Sequence, residues 1–236
     1  MLFKSIVATI GLLAVSGSLA AKEKRPNLEK TFEGLHGNFG TRNTDKATVI
    51  SGPTAVKMLR GEAPGKCWQV KLGDVGFKLT IEDKLDLKVQ ECLARLEKLP
   101  PSYRKAFAIV SEGKKDGVAF YQDLEGASAH GSQDYLNLVK DADALVIAHE
   151  CGHVLEQRVT SKLPKTLAQW KSAIKKDGIS VSAYGDQVAH EDLAEFSYVY
   201  ATCLDGGKLD ALQALSPLRF SEWEDILKAA EPVKVP

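Results

Sequence analysis

Residues 147–158 read IAHECGHVLEQR, and the segment H-E-C-G-H inside them decides how the chain is interpreted. Two histidines four positions apart, His149 and His153, lie on one face of an α-helix, one turn apart, so both rings can reach the same metal ion. Glu150 lies about 100 degrees round the helix from His149 and can face a metal-bound water. We therefore predict that His149 and His153 are zinc ligands and that Glu150 is the general base of a zinc hydrolase.

Chance and a structural histidine pair are the two alternatives to a metal site. With five histidines in 236 residues, a random H-E-x-x-H is expected in well under about one chain in a hundred. A buried structural pair would leave Glu150 unexplained. Both alternatives are therefore weaker than the metal interpretation.

A catalytic zinc has three protein ligands and an open position for water, so a third ligand must come from elsewhere. His153 is followed by VLEQRV, which lacks the H-x-x-G-x-x-H extension of another zinc peptidase class. Downstream, HEDLAEF offers Glu191 and Glu195 on one helical face. One can bind zinc, and the other can hold the second ring nitrogen of a ligand histidine. We favour Glu191 as the ligand; Glu195 and His190 remain alternatives, as does a solvated acidic turn.

The order of these motifs resembles a known family. H-E-x-G-H is followed by Ser182-Ala183-Tyr184-Gly185 and then by E-x-x-A-E from Glu191 to Glu195. This arrangement resembles the catalytic domain of anthrax lethal factor and its small secreted relatives, the Pro-Pro endopeptidases, over roughly residues 84–204. The resemblance implies that Glu191 is the third ligand, that Tyr184 stabilises the transition state, and that Glu195 supports a ligand histidine. Independently, a tyrosine hydroxyl on a loop near the metal can hydrogen-bond an oxyanion, although such a tyrosine can also be a packing residue.

Hydrophobic periodicity predicts strands first and helices later, which indicates an α+β fold with a mixed sheet. The resemblance implies a small zincin domain of the gluzincin type, in which the H-E-x-x-H helix is followed by a helical C-terminal part. The predicted strands are 65–72, 75–81, 106–112, 117–124 and 135–139. The predicted helices are 85–99, 141–153, 163–178, 190–207 and 221–232.

The N-terminus has the layout of a secretory signal. Residues 1–20 hold one early lysine, an apolar stretch and a small-residue end, Ser18-Leu19-Ala20. Residues 21–60 are polar and turn-rich, and we expect a weakly structured extension or a pro-segment. Residues 61–236 then form the metallopeptidase domain. These features predict a secreted protein, extracellular or periplasmic.

Charge and cysteine content constrain partners and covalent links. Lysine plus arginine and aspartate plus glutamate number 31 each, so charge favours neither nucleic acid nor a membrane surface. No later apolar segment is long enough to span a bilayer, and we expect a monomer that acts on a protein or peptide substrate. An even number of cysteines in an oxidising compartment favours disulfides. One pairing is Cys151–Cys203, with Cys67–Cys92 as its complement.

We therefore expect a secreted zinc-dependent endopeptidase that uses a zinc-activated water, with Glu150 as general base and Tyr184 as oxyanion donor. A substrate strand would add to an edge strand, either Gly117–Gln122 or Gly126–His130, where His130 could touch the substrate, although an exposed turn histidine is the simpler interpretation. The alternatives are a non-catalytic secreted binding or toxin-like module that keeps the zinc fold, and a zinc hydrolase of non-peptide amides.

Overall fold

The computed structural model describes residues 27–113 and 115–232. The predicted signal, residues 1–20, lies outside the described residues. The described chain folds as α+β, with a mixed six-stranded sheet and helices packed on it, so the predicted fold class is confirmed at this level. Among the helices of the described ranges, none combines the length and apolar character needed to cross a membrane.

The sheet precedes most of the helices along the chain. Its strands are β1 Ala47–Lys57, β2 Pro64–Leu72, β3 Val75–Glu82, β4 Val118–Tyr121, β5 Ala129–Ser132 and β6 Tyr135–Val139. The α-helices are α1 Leu28–Phe32, α2 Val89–Leu96, α3 Lys105–Val110, α4 Ala144–Thr160, α5 Thr166–Asp177, α6 Ala189–Gly206, α7 Leu209–Leu215 and α8 Pro217–Ala229. Short 3-10 helices cover Glu33–Asn38, Pro101–Tyr103 and Gly185–Gln187.

The strand order is β1-β2-β3-β4-β6-β5. Strands β1 to β3 form an antiparallel meander, whereas β3, β4 and β6 are parallel neighbours. Strand β5 pairs antiparallel with β6 and is one edge of the sheet. Of the two predicted edge segments, Gly126–His130 overlaps β5 and is confirmed as an edge. The segment Gly117–Gln122 is wrong as an edge, because it contains β4 between two neighbours.

One predicted strand, residues 106–112, is wrong, because most of it belongs to helix α3, Lys105–Val110. Four of the six residues of α3 are buried apolar side chains, Ala106, Phe107, Ile109 and Val110. A short, nearly continuous apolar run fits a buried helix as well as a buried strand, so periodicity could not separate the two.

The N-terminal segment is part of the folded unit. Leu28 of α1 is fully buried, Phe32 is 6% exposed, and β1 pairs with β2 along its length. The expectation of weak structure over residues 21–60 is therefore wrong for the described part of that range. Removal of the segment as a pro-piece stays a prediction.

All four cysteines are free thiols, so both predicted disulfides are wrong. Ala148 of α4 contacts Ser197 of α6, and the two helices run antiparallel. Cys151 lies three residues beyond Ala148, and Cys203 lies six residues beyond Ser197 in the opposite direction. At about 1.5 Å per residue, the two cysteines are about 13 Å apart along the helices. A disulfide needs Cα atoms within about 7 Å.

The complementary pair is separated by the sheet. Cys67 pairs with Thr80 across β2 and β3 and shares its face. Cys92 of α2 lies in the hydrophobic core that includes Leu79 and Ile81, on the other face. A bond between Cys67 and Cys92 would have to pass through the sheet.

Candidate metal centre

Helix α4 carries the H-E-C-G-H segment in its middle. Asp143 caps the helix, because its side chain accepts hydrogen bonds from the backbone N–H groups of Leu145 and Val146, each at 2.9 Å. His149 and His153 lie one turn apart on this mostly buried helix, and only 14% and 7% of their side chains are exposed. Their rings are 4.9 Å apart, centre to centre.

Gly152 lets the second helix approach. A Cβ atom at this position would lie 2.9 Å from Ser197 Cβ and 3.1 Å from Ala194 Cα of α6. The hydroxyl of Ser197 in turn donates a hydrogen bond across the interface to the Ala148 carbonyl, at 3.1 Å. The small residue in the middle of the motif therefore sets how closely the two helices that carry the candidate ligands can pack.

The start of α6 is fixed by a buried polar cluster. Asp192, only 2% exposed, accepts hydrogen bonds from Trp170 Nε1 at 2.8 Å and from Arg219 Nη2 at 3.1 Å. These contacts tie the first turn of α6 to helices α5 and α8. Since Glu191 is the preceding residue, its backbone is held in place by the C-terminal helices, which the motif alone did not indicate.

The structure brings together the three predicted ligands. Glu191 Oε2 lies 3.3 Å from His149 Nε2 and 3.4 Å from His153 Nε2. One ligand atom of each residue lies within 4.8 Å of the others, so the group could hold a metal ion. Glu191 Oε2 is buried yet has no hydrogen-bond partner among the described residues. In a tetrahedral zinc site with bonds of about 2.0–2.1 Å, ligand atoms are about 3.4 Å apart, which matches the two distances from Glu191 to the histidines.

Glu195 orients the first histidine. Its Oε1 lies 2.7 Å from His149 Nδ1. A carboxylate on Nδ1 leaves Nε2 as the nitrogen that faces the metal position. Glu195 thus contacts His149 and is not part of the three-residue group. Its support of a metal ligand stays a prediction.

Burial and neighbouring charges shift the pKa of all three candidate ligands. Burial lowers the pKa of His149, but the neighbouring carboxylates of Glu191 and Glu195 outweigh burial and raise it to about 9. Burial lowers the pKa of His153. Burial tends to raise the pKa of Glu191, yet the two histidines hold it well below its usual range. Glu191 is thus ionised at neutral pH, as a metal ligand requires.

Glu150 lies against the edge strand. A Cβ atom on Gly131 of β5 would meet the Glu150 carbonyl and would lie 2.9 Å from Glu150 Oε2, so β5 can run this close only with glycine there. Glu150 is 8% exposed. Burial, with the negative charge of Glu191 adding to it, raises the pKa of Glu150 to about 7. A carboxylate with a pKa near neutrality can accept a proton and also release it.

Tyr184 lies on a tight loop at the mouth of the site. Ser182 Oγ accepts a hydrogen bond from the Gly185 N–H at 2.8 Å, and a Cβ on Gly185 would lie 3.0 Å from Asp192 Cα. The loop is thereby pressed against α6. The Tyr184 ring is 6.1 Å from the His149 ring and 49% exposed. Burial and the charge of Glu191 raise the pKa of Tyr184, so its hydroxyl keeps its proton at neutral pH.

The N-terminal segment supports this loop, which sequence reasoning missed. The Leu28 N–H donates to the Ser180 carbonyl at 3.0 Å, and the Glu29 N–H donates to the Val181 carbonyl at 2.9 Å. The two partners are about 150 residues apart along the chain, and no local pattern signals their pairing.

His190, the alternative third ligand, is not in the ligand group. Its ring stacks on His153, with centres 4.1 Å apart and planes 28° apart. Its Nδ1 lies 3.4 Å from Glu156 Oε2. The neighbouring Glu156 carboxylate raises the pKa of His190.

The centre opens into a cleft of about 680 Å³. Its walls include His149, Glu150 and Tyr184, together with Glu29 of α1. Residues 127–130, which include the first half of β5, form another wall. His130 is thus placed in the cleft, half-buried, and burial lowers its pKa. A segment of extended chain could lie between β5 and the Tyr184 loop.

Comparisons of the chain with models of protein families, with curated proteins and with solved structures found no match.

Proposed function

We propose that this protein is a secreted zinc-dependent endopeptidase of the gluzincin type. The observation that carries the proposal is a His-His-Glu donor set whose first member, His149, lines a cleft together with the buried Glu150 and with Tyr184. A purely structural metal site would need a fourth protein ligand and would need neither Glu150 nor Tyr184.

The donor set favours zinc over harder cations. Two imidazole nitrogens with one carboxylate suit zinc, whereas calcium and magnesium prefer oxygen ligands. Bound zinc would supply an activated water and polarise the scissile carbonyl.

Glu150 is the proton carrier of the proposed reaction. It would take a proton from the attacking water and deliver it to the leaving amine. In the metal-free protein, burial raises its pKa to about 7. Its contact with Gly131 fixes the carboxylate beside β5, where the substrate backbone would run. Replacing the carboxylate by an amide would keep the shape and remove the base.

Tyr184 is the oxyanion donor. Its raised pKa keeps the phenol protonated, so it can donate a hydrogen bond to the negative charge that develops on the carbonyl oxygen. Half of the side chain is exposed, which allows it to reach a substrate in the cleft. The presence of both Glu150 and Tyr184 at the site weighs against a non-catalytic module.

The substrate would be an extended peptide. β5 pairs on one side only, with β6, so its other side can accept a strand. His130 lines the cleft at this edge and is the nearest candidate for a substrate contact. The resemblance to Pro-Pro endopeptidases suggests cleavage near proline. A sheet edge binds the backbone of an extended peptide, which favours a peptide substrate over other amides.

The test is cleavage of a diverse peptide library by the mature chain, read by mass spectrometry. Wild type is compared with a Glu150→Gln variant and with a chelator-treated sample. Cuts made by the wild type alone would support the proposal and give the specificity. Equal cutting by all three samples would contradict it, because the cuts would then come from a contaminant or from chemistry without Glu150.

A further inference from the structure

The two histidines of the candidate centre are held differently. His149 has a carboxylate on its second ring nitrogen, at 2.7 Å. His153 Nδ1 is buried and has no hydrogen-bond partner among the described residues. A metal-binding histidine usually has its second nitrogen bonded to a carboxylate, a carbonyl or water, which fixes the ring. Something else must restrain the ring of His153.

The ring of His190 covers His153. The two rings lie 4.1 Å apart and 28° from parallel, which is a stacked contact. His190 is the first residue before Glu191 on α6, so the stack joins the two helices that carry the three candidate ligands. A ring packed face to face on another restricts its rotation about χ2 without a hydrogen bond.

His190 is itself held by a buried acid. Its Nδ1 lies 3.4 Å from Glu156 Oε2. Glu156 is 3% exposed, and its other oxygen accepts a hydrogen bond from the Thr160 hydroxyl at 2.5 Å. An acid buried this deeply on α4 is costly without a partner, and His190 is the base that faces it.

We propose that His190, anchored by Glu156, is a positioning residue that fixes the ring of His153 for metal binding, as Glu195 does for His149. The inference rests on the proposed zinc site. His190 does not touch the metal position and takes no part in proton transfer. It acts through the orientation of His153.

The test measures zinc affinity of the full mature chain by competition with a chelator, for two matched variants. His190→Phe keeps a flat ring over His153, whereas His190→Leu keeps bulk without a ring. We expect His190→Leu to bind zinc about 10–100-fold more weakly than wild type, the usual loss when an orienting partner is removed. We expect His190→Phe to stay within a few-fold of wild type.

A second readout separates positioning from general stability. Cobalt placed in the site reports ligand geometry through its visible absorption, and thermal unfolding of the metal-free variants reports the fold. We expect His190→Leu to change the cobalt spectrum while unfolding at nearly the wild-type temperature. Glu156→Gln should shift the spectrum in the same direction, because His190 loses its charged anchor. Gly34→Ala, where nothing lies within 4 Å of an added Cβ atom, should leave zinc affinity and spectrum unchanged.

The outcomes are distinguishable. A wild-type chain that takes up no zinc would overturn the proposed function and the inference together. A wild-type chain that binds one zinc, with His190→Leu equal to it in affinity and cobalt spectrum, would overturn the inference alone. Equal losses in His190→Leu and His190→Phe would also overturn it, because the stacked ring would then not be what orients His153.

Discussion

Replacing Gly152 by alanine should separate the two helices that carry the candidate metal ligands. The new Cβ would lie 2.9 Å from Ser197 Cβ and 3.1 Å from Ala194 Cα, with the Ser197 hydroxyl closer still. Ordinary contacts of a Cβ atom begin at about 3.4 Å, so the helices must move apart by about 0.5–1 Å. Ser197 cannot turn away freely, because it is fully buried and bonded to the Ala148 and Ala194 carbonyls.

Two opposing effects set the size of the change in stability. Overpacking costs about 1–3 kcal/mol. Alanine in place of glycine inside a helix contributes about 1 kcal/mol in the other direction. The free energy of unfolding should therefore fall by about 0–2 kcal/mol, which lowers Tm by about 2–4 °C for each kcal/mol in a chain of this size.

Zinc affinity is the sharper assay, because Glu191 moves with α6 while His149 and His153 stay on α4. We expect Gly152→Ala to weaken zinc binding by about 10-fold or more, measured by chelator competition. Gly34→Ala is the control, since nothing lies within 4 Å of a Cβ at that position. A Gly152→Ala protein that is more stable than wild type and binds zinc equally well would refute the close approach of the helices.

Three further predictions concern the chemistry of the site. Glu150→Gln should bind zinc normally and hydrolyse peptides about 10²–10⁴-fold more slowly, measured by kcat. Tyr184→Phe should lower kcat by about 10²–10³-fold with little effect on zinc affinity, because only the oxyanion donor is lost. Zinc uptake at pH 7 should release about one proton, seen by calorimetry in buffers of different ionisation enthalpy: the pKa of metal-free His149 is raised to about 9, so its ring is protonated at pH 7 and must become neutral to bind. The part of the release that comes from His149 should disappear as the pH rises above about 9.

Each of these three predictions would be contradicted by a specific result. Full activity in Glu150→Gln would mean that Glu150 is not the general base. A Tyr184→Phe variant that loses zinc rather than turnover would make Tyr184 a structural residue. Zinc uptake that releases no proton at pH 7 would mean that His149 is already neutral in the metal-free protein.

Local patterns predicted the ligands because helical geometry is local. The spacing of His149 and His153 places both on one face of α4, and the spacing of Glu191 and Glu195 does the same on α6. Which of the two acids faces the metal, and which holds His149, depends on how the helices are aligned. The residues alone left that choice open, and the geometry puts Glu191 in the ligand group.

Long-range packing explains what the sequence did not predict. The pairing of Leu28 with Ser180 joins distant parts of the chain, and polar composition gave no sign that α1 is buried. Likewise, an even number of cysteines favours disulfides only if the fold brings them together. The antiparallel alignment of α4 and α6 moves Cys151 and Cys203 apart.

The most direct test of the account is the rate of peptide hydrolysis as zinc is added to the metal-free protein. We predict that the rate of the wild type rises in proportion to zinc and levels off at one equivalent, while Glu150→Gln binds the same one equivalent and stays nearly inactive. A rate that does not depend on zinc, or equal rates in the two proteins at one equivalent, would contradict the central claim.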